Sequence, residues 1–284
     1  MGRGLCCLMV LLCCRDAGAW GRRAHEDVNR LTVEHLSPAA AAVFGPLKDA
    51  LVAQAMEPDD RVRLNRAERH RHFLDLEALG LPPPDVTKPA PRPETATAVL
   101  QALAARSLDA TVQRDVVSTG SLIGAVDETF HALVAALRAR HTPDITRFAV
   151  DLLHYVADAH QPLHATLHYD GLFPAQNGVH RAFEEDLINR CPDSHPRMPT
   201  KRATALELPI LAAAALLESH ALASTVLAVD LGCPGVCRKV PAQRASGGTM
   251  ACGSLQQLAR TRLELAAARA VFLLERAVRQ AAPP

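Results

Sequence analysis

The sequence predicts an all-α protein, with residues 20–284 forming a single-domain multi-helix bundle. The chain is 49% hydrophobic, and Ala and Leu, both strong helix formers, predominate. Apolar residues recur at three- and four-residue steps in several segments, whereas no useful length of sequence alternates as a strand does. The net charge is +1 and there is no basic stripe. Affinity for phosphate would therefore have to come from a local site rather than a duplex-binding surface.

The first 19 residues are predicted to be a secretory signal peptide. Arg3 provides a positive start, and Leu5–Cys14 is an apolar core too short to span a bilayer. The sequence Ala17-Gly18-Ala19 is an A-x-A cleavage site. Cleavage between Ala19 and Trp20 would give a secreted or periplasmic protein without a transmembrane segment in the mature chain. The alternatives are an uncleaved anchor or lipidation at one of the four cysteines in this segment.

The mature chain keeps four cysteines: Cys191, Cys233, Cys237 and Cys252. An even number of cysteines in an exported chain predicts two disulfide bonds, and the sequence leaves their pairing open. The alternative for Cys233 and Cys237 is half of a zinc site.

The elements follow from periodicity and from capping residues. Helices are predicted over residues 25–36, 39–55, 95–109, 122–140, 145–160, 180–189, 202–227 and 254–280. The second helix begins at Ser37-Pro38 and is interrupted at Gly45-Pro46, because proline suits a first helical turn and disrupts a helix interior. Pro58 is expected to break the helix near it, and the six prolines of residues 80–94 predict a loop.

The segment Leu152–His164 is the centre of the predicted site. His154 and Asp158 are four residues apart, so their side chains share one helix face. Pro162 disfavours continuation of the helix, which places His164 just past its end. Three potential metal ligands within eleven residues indicate a metal site.

Other segments supply further candidate ligands. His180 and Glu184 repeat the four-residue spacing, and His72 stands beside a short apolar run. Asp60 lies among arginines, where it could bind a metal with Arg63 nearby as a phosphate clamp. The plainer interpretations are surface ion pairs for this charged run and a buried structural histidine for His72. Two close rivals also remain open, namely Asp59 for Asp60 and His70 for His72.

These motifs occur in one order along the chain: Trp20, His25, Asp60-x-x-Arg63, His72-Phe73-x-Asp75, His154-x-x-x-Asp158, Gln161-Pro-Leu-His164 and His180-x-x-x-Glu184. With them the chain resembles the zinc-dependent phospholipase C and single-strand-specific nuclease superfamily over roughly Trp20 to Leu187. The resemblance implies an all-helical bundle around a trinuclear zinc cluster. It also implies hydrolysis of phosphodiesters by water that the zinc ions activate.

The resemblance assigns roles to individual residues. One zinc ion would be held by Asp60, His72, His154 and Asp158. A second would be held by His164, His180 and Glu184. The third would be shared by His25, Asp158 and Trp20, which would contribute its free amino group and carbonyl oxygen. The expected catalytic residues are Asp60, Arg63 and Asp158. The expected substrate-binding residues are Phe73, Asp75 and Asn177. His160 and His168 are left as supporting or surface residues.

The substrate is the open question. Asp60-x-x-Arg63 and His72-Phe73-x-Asp75 resemble the nuclease branch, in which the aromatic ring packs a base and the carboxylate bonds its edge. Glu184 and the short loop before His180 resemble the phospholipase branch. We expect single-stranded nucleic acid or a nucleotide, with phospholipid as the alternative, and no stable protein partner. A non-catalytic secreted zinc-binding protein is less consistent with nine ligands, since structural zinc sites are usually closed four-ligand sets.

Overall fold

The computed structural model describes residues 20–83, 98–99, 101–102, 119–171, 177–198, 208–228 and 248–282. Within these ranges the protein is helical and has no strand, which confirms the predicted all-α class. The α-helices are α1 (Arg22–Glu34), α2 (Pro38–Phe44), α3 (Lys48–Ala53), α4 (Glu57–Val62), α5 (Leu122–Ala139), α6 (Thr142–Ala159), α7 (Val179–Arg181), α8 (Leu187–Arg190), α9 (Leu208–Ala228) and α10 (Gly248–Ala281). A π-helical turn, Ala182–Asp186, joins α7 to α8. Short 3₁₀ turns span Gly45–Leu47, Glu68–His72, Leu76–Leu79, Pro162–Ala165 and Pro192–Ser194.

Two of the differences from the predicted element boundaries lie at prolines. Pro58 does not break a helix but lies in the first turn of α4, where its missing N–H costs nothing. Pro143 likewise lies in the first turn of α6, which therefore begins at Thr142 rather than three residues later. The predicted interruption at Gly45-Pro46 is confirmed as a 3₁₀ turn between α2 and α3.

Several predictions fall wholly or largely outside the described residues. They are the signal peptide of residues 1–19, the helix over residues 95–109, and the disulfide bonds that involve Cys233, Cys237 and Cys252. The extent of the domain, residues 20–284, also stays a prediction.

The core has two parts. In the larger, α5 packs along α6, and α9 and α10 pack against both helices. Its fully buried side chains include Phe130, Leu153 and Leu216. The smaller part joins α1, the π turn and α10 around Trp20 and Phe183. The face of α6 that carries His154 and Asp158 is therefore supported by helices that lie far from it in sequence.

Helix α9 is apolar all round rather than along one face. By length and composition it could cross a membrane, and 61% of its most apolar window is buried inside the protein. Its side chains, such as Leu211 and Leu216, belong to the core, as expected for a helix that is apolar on every side. The same helix packs on the 3₁₀ turn Pro162–Ala165, which carries His164.

A buried arginine ties the end of α6 to the last two long helices. Arg262 of α10 is 3% exposed. Its guanidinium donates to the carbonyl oxygens of His160 (3.0 Å) and Ala215 (3.1 Å). It also donates to Glu218 (3.0 Å) and to the Ser219 hydroxyl (2.9 Å). The carbonyl groups at a helix end lack intrahelical partners, so this cation satisfies that of His160 at the end of α6 and anchors the turn that leads to His164.

Arg262→Ala is expected to destabilise the protein by about 3–5 kcal/mol, because it breaks a buried ion pair with Glu218, which keeps only Arg269, and removes the donor to two buried carbonyl oxygens. Urea unfolding of the variant measures this loss. The matched control is Arg279→Ala on the same helix, whose exposed side chain lies 3.8 Å from Glu275 and should cost less than about 0.5 kcal/mol. Equal losses for the two variants would contradict the assignment.

Candidate metal centre

Four imidazoles surround one carboxylate in the interior. The Asp158 oxygens lie 3.0 Å from His72 Nδ1, 3.3 Å from His154 Nε2, 3.5 Å from His25 Nε2 and 3.8 Å from His164 Nδ1. His25, His154 and Asp158 are fully buried. The ring of His25 stacks on that of His154, with centroids 4.0 Å apart and planes at 6°. His154 and Asp158 thus share one face of α6, as their spacing predicted. Helix α1 supplies His25, and the 3₁₀ turn Glu68–His72 supplies His72.

The charge state of this cluster follows from its burial and its neighbours. Burial alone raises the pKa of the Asp158 carboxyl, but His154, His72 and His164 together hold that pKa well below its usual range. Burial lowers the pKa of His164 to about 3, although Asp158 opposes that shift. The cluster therefore contains an ionised carboxylate and at least one neutral imidazole, which are the forms that bind metals.

Asp59, rather than Asp60, is the aspartate that the structure brings to this cluster. Asp59 Oδ1 lies 3.4 Å from His72 Nδ1 and 3.7 Å from His154 Nε2, whereas Asp60 is exposed. The reason is the phase of α4. Because the helix begins before Pro58, successive side chains are rotated by about 100°, and the inward position falls on Asp59. The prediction for Asp60 is corrected accordingly. His72, and not its rival His70, is the histidine in the cluster.

A second group of candidate ligands lies beside the first. His180 Nε2 is 2.9 Å from Glu184 Oε2 and 3.0 Å from His164 Nε2. All three side chains are buried. Burial raises the pKa of the Glu184 carboxyl to about 7, although His180 opposes that shift. The His180–Glu184 pair lies where α7 passes into the π turn, so the spacing predicted from an α-helix is realised on a slightly wider turn.

Gln161 connects the two groups and was not predicted as a functional residue. Its side-chain oxygen accepts a hydrogen bond from the Leu163 amide at 2.6 Å, which caps the 3₁₀ turn that presents His164. Its amide nitrogen donates to Glu184 Oε2 at 3.4 Å. The sequence feature that could have predicted this role is the position of Gln161 directly before Pro162, the proline that begins the turn.

Two observations indicate that these residues could hold metal ions. Three sets of side chains each offer ligand atoms within 4.8 Å of one another: His25, Asp59 and His154; His72, His154 and Asp158; His164, His180 and Glu184. Some of their buried atoms have no hydrogen-bond partner within the described part of the chain: His25 Nδ1 and Nε2, His72 Nε2, Asp158 Oδ1 and His164 Nδ1. Buried polar atoms are ordinarily paired. Imidazole nitrogens and carboxylate oxygens in such sets suit Zn²⁺.

Trp20 lies against both ligand-bearing segments. It is fully buried, and its indole N–H donates to the carbonyl oxygen of Ala157, next to Asp158, at 3.0 Å. Its ring packs on Phe183 with centroids 5.4 Å apart, and the amide of Gly21 donates to the carbonyl oxygen of Glu184 at 3.3 Å. The backbone of Trp20 is therefore held close to the cluster, while the role of its amino group as a ligand stays a prediction.

A cavity of about 740 Å³ opens onto the cluster. It is lined by Val62, Arg63, Arg66, Arg69, His70, His72, Phe73, Asp75, Leu163, His164, Leu167, Tyr169 and His180. Three predicted substrate or phosphate residues, Arg63, Phe73 and Asp75, are among them. Asn177 is not, and it is exposed, so the structure does not bring it to the cavity. Tyr169, which follows His164 by five residues and is 41% exposed, was not predicted.

Gly120 determines where Phe73 and Asp75 lie. The backbone of Leu74 pairs with that of Gly120, and the Asp75 amide donates to the carbonyl oxygen of Thr119. Gly120 has φ = 90°, and a Cβ there would lie 2.1 Å from the Phe73 carbonyl oxygen. Only glycine allows this close approach. Leu74 and Gly120 lie 46 positions apart in the sequence, and no local feature predicted that they pair.

Asp75 should make stability depend on pH. Burial, with a contribution from Glu77, raises the pKa of its carboxyl to about 7. The folded state then binds a proton that the unfolded chain releases, so this group's stabilising contribution falls as pH rises from about 4 to about 7. Relative to the wild type, zinc-loaded Asp75→Asn is expected to become more stable across that range in urea unfolding. Asp49→Asn, at an exposed position, is the control. A pH-independent difference for Asp75→Asn would contradict the expectation.

No protein-family model matches the chain, and no curated protein matches it in sequence. The resemblance described above therefore rests on the motif residues themselves, most of which the fold assembles at one site.

Proposed function

We propose that the protein is a secreted zinc-dependent phosphodiesterase that acts on single-stranded nucleic acid or nucleotides. One observation carries the proposal: there are three adjoining sets of histidine and carboxylate ligand atoms, each compact enough for one ion, and two of the sets contribute histidines to the lining of a cavity that also carries arginines. Three such sets exceed what a structural metal site needs. Residues 1–19 would be removed on export, and the remaining cysteines would form disulfide bonds.

Bound zinc would supply Lewis-acid polarisation of the phosphate and activation of a water nucleophile. The chain's own groups supply the rest. Asp59 is the most solvent-accessible carboxylate of the cluster, at 13% against 0% for Asp158 and 7% for Glu184. It therefore takes the catalytic place expected for Asp60, and its carboxylate accepts the proton of the attacking water and passes it to solvent. Asp158, an ionised carboxylate among four imidazoles, offsets the positive charge gathered there.

Cavity groups orient the substrate. Arg63 offers a charge-assisted contact to the phosphate, and a guanidinium matches that geometry with paired N–H groups. Phe73, half-buried in the lining, offers a face to a base, and Asp75 lies two residues further on at the same cavity. Stacking on one aromatic ring contributes about 1–3 kcal/mol per base, so one well-placed ring favours nucleotides.

A second candidate is a phospholipase C that acts on phospholipid head groups. Large apolar side chains are exposed around the cavity: Leu64 is 90%, Leu167 51% and Tyr169 41% exposed. Leu167 and Tyr169 line the cavity, and Leu64 follows Arg63 directly. Exposed apolar groups at the mouth of an active site suit contact with a lipid interface.

The test is a side-by-side assay of purified zinc-loaded protein on single-stranded DNA, a 3′-nucleotide and phosphatidylcholine, with elemental analysis of the same sample. We expect about three zinc ions per chain, as the resemblance implies, and hydrolysis of the nucleic acid substrates. Turnover of phosphatidylcholine alone would select the second candidate. Three bound ions without hydrolysis of any substrate would favour a non-catalytic zinc protein, and one ion or none would exclude the cluster.

A further inference from the structure

One part of the cavity lining is basic. Arg63, Arg66 and Arg69 all line it, and all three are exposed. Within the described ranges, Arg66 and Arg69 form no ion pair, in contrast to Arg61 and Arg71, which lie in the same segment and bind Asp151 and Glu128. Two cations thus face the cavity with their charge available to a ligand.

Acidic groups do little to cancel this charge. Among the described residues of the lining, Asp75 is the one carboxyl, and burial raises its pKa to about 7, so it is only partly ionised near neutral pH. The cavity therefore favours an anion with more than one negative group.

Much of the remaining lining is apolar or aromatic, and most of these side chains come from a different segment. Leu163, Leu167 and Tyr169 belong to the chain around and after His164, and Phe73 lies beside His72. The Tyr169 ring meets the His180 ring edge-to-face at 5.8 Å, which fixes its position while leaving much of it exposed. A basic track combined with ring surfaces is the usual composition of a groove for single-stranded nucleic acid.

We propose that Arg66 and Arg69 form a binding site for the phosphates that flank the scissile one, so that the cavity holds a single strand of several nucleotides. This inference rests on the proposed function. It assigns the enzyme a preference for oligonucleotides over mononucleotides, since a mononucleotide offers no flanking phosphates. A lipid surface fits less well, because these arginines line a concave cavity that a flat bilayer does not enter.

Salt dependence of binding tests the assignment. Zinc-loaded protein is titrated against a fluorescent octanucleotide and a dinucleotide, both with phosphorothioate linkages, which keep the charge and slow cleavage. Each phosphate neutralised on a single strand contributes about 0.7 to the slope of log K against log salt concentration. Arg66→Ala/Arg69→Ala should therefore reduce the octanucleotide slope by about 1.4 and change the dinucleotide slope much less.

The matched control is Arg138→Ala/Arg279→Ala, which removes the same charge at exposed positions outside the cavity lining. It should leave the slope unchanged, and unfolding curves of both variants establish that each is folded. If Arg66→Ala/Arg69→Ala does not alter the octanucleotide slope, the proposed groove, that is, the binding of flanking phosphates by these two arginines, is refuted. Loss of binding to phosphatidylserine vesicles with intact octanucleotide binding would also overturn it and assign the arginines to a membrane.

Failure of the groove and failure of the proposed function give different results. Hydrolysis of single-stranded DNA that persists with unchanged kinetics and salt slope in the variant refutes only the groove. Arginine-dependent octanucleotide binding by a protein that hydrolyses none of the substrates refutes the phosphodiesterase and leaves the groove as a binding site.

Discussion

Asp158→Asn is expected to lower the hydrolysis rate by more than about 100-fold and to reduce the zinc content. Loss of a residue that merely supports a metal ligand costs about 10–100-fold, and Asp158 lies within 4 Å of four imidazoles, so its charge serves the whole cluster. Asparagine keeps the size of the side chain and removes the charge. The rate on single-stranded DNA and the zinc content of the same sample measure the effect.

The control is Asp144→Asn in the first turn of the same helix, where the carboxylate is exposed and paired with His141. It should retain full zinc content and activity. Wild-type turnover by Asp158→Asn would refute the central position of this carboxylate and, with it, the cluster.

An added residue before Trp20 is expected to lower the zinc content by about one ion and the activity by at least about tenfold. The primary amine that signal cleavage would create is a metal ligand, whereas the amide of an extended chain is not. The indole bond to Ala157 and the packing on Phe183 already hold Trp20 beside the cluster. In an extended chain Trp20 therefore keeps its position beside the cluster, but its amino group is no longer available as a ligand.

The sharpest control is an extension that a protease removes to regenerate Trp20 as the first residue. Zinc content and activity should return on cleavage, which separates the chemistry of the amine from any effect of expression or folding. If the extended protein already matches the cleaved one in both measurements, Trp20 is not a ligand.

Features that depend on one helix could be predicted from the sequence, because local spacing fixes them. His154 and Asp158 share a face for that reason, and the composition of Ala and Leu was enough for the all-α class. The choice between Asp59 and Asp60 could not be made in this way. It depends on the helix phase that begins before Pro58, and sequence reasoning treated that proline as a break rather than a start.

Contacts between distant segments required the fold. His25 stacks on His154 although 128 residues separate them along the chain, and only the motif resemblance placed the two in one site. The pairing of Leu74 with Gly120 had no local signal at all. The cavity that carries Arg66 and Arg69 exists only when the segments around His72 and His164 meet, so nothing in a single stretch distinguished these arginines from ordinary surface charges.

The hydrogen bonds of Arg262 connect the candidate metal centre to α10. The motif residues end near Leu187, yet the turn from His160 to His164 is anchored by a cation on α10 and by α9 beneath it. If the centre binds metal as proposed, its occupancy and the folding of these C-terminal helices would be thermodynamically linked: ions held by His154 and His164 would favour the docked state of α10, and undocking of α10 would weaken their binding. Helix α10 would thus influence metal affinity from a distance, although it contributes no residue to the three candidate ligand sets.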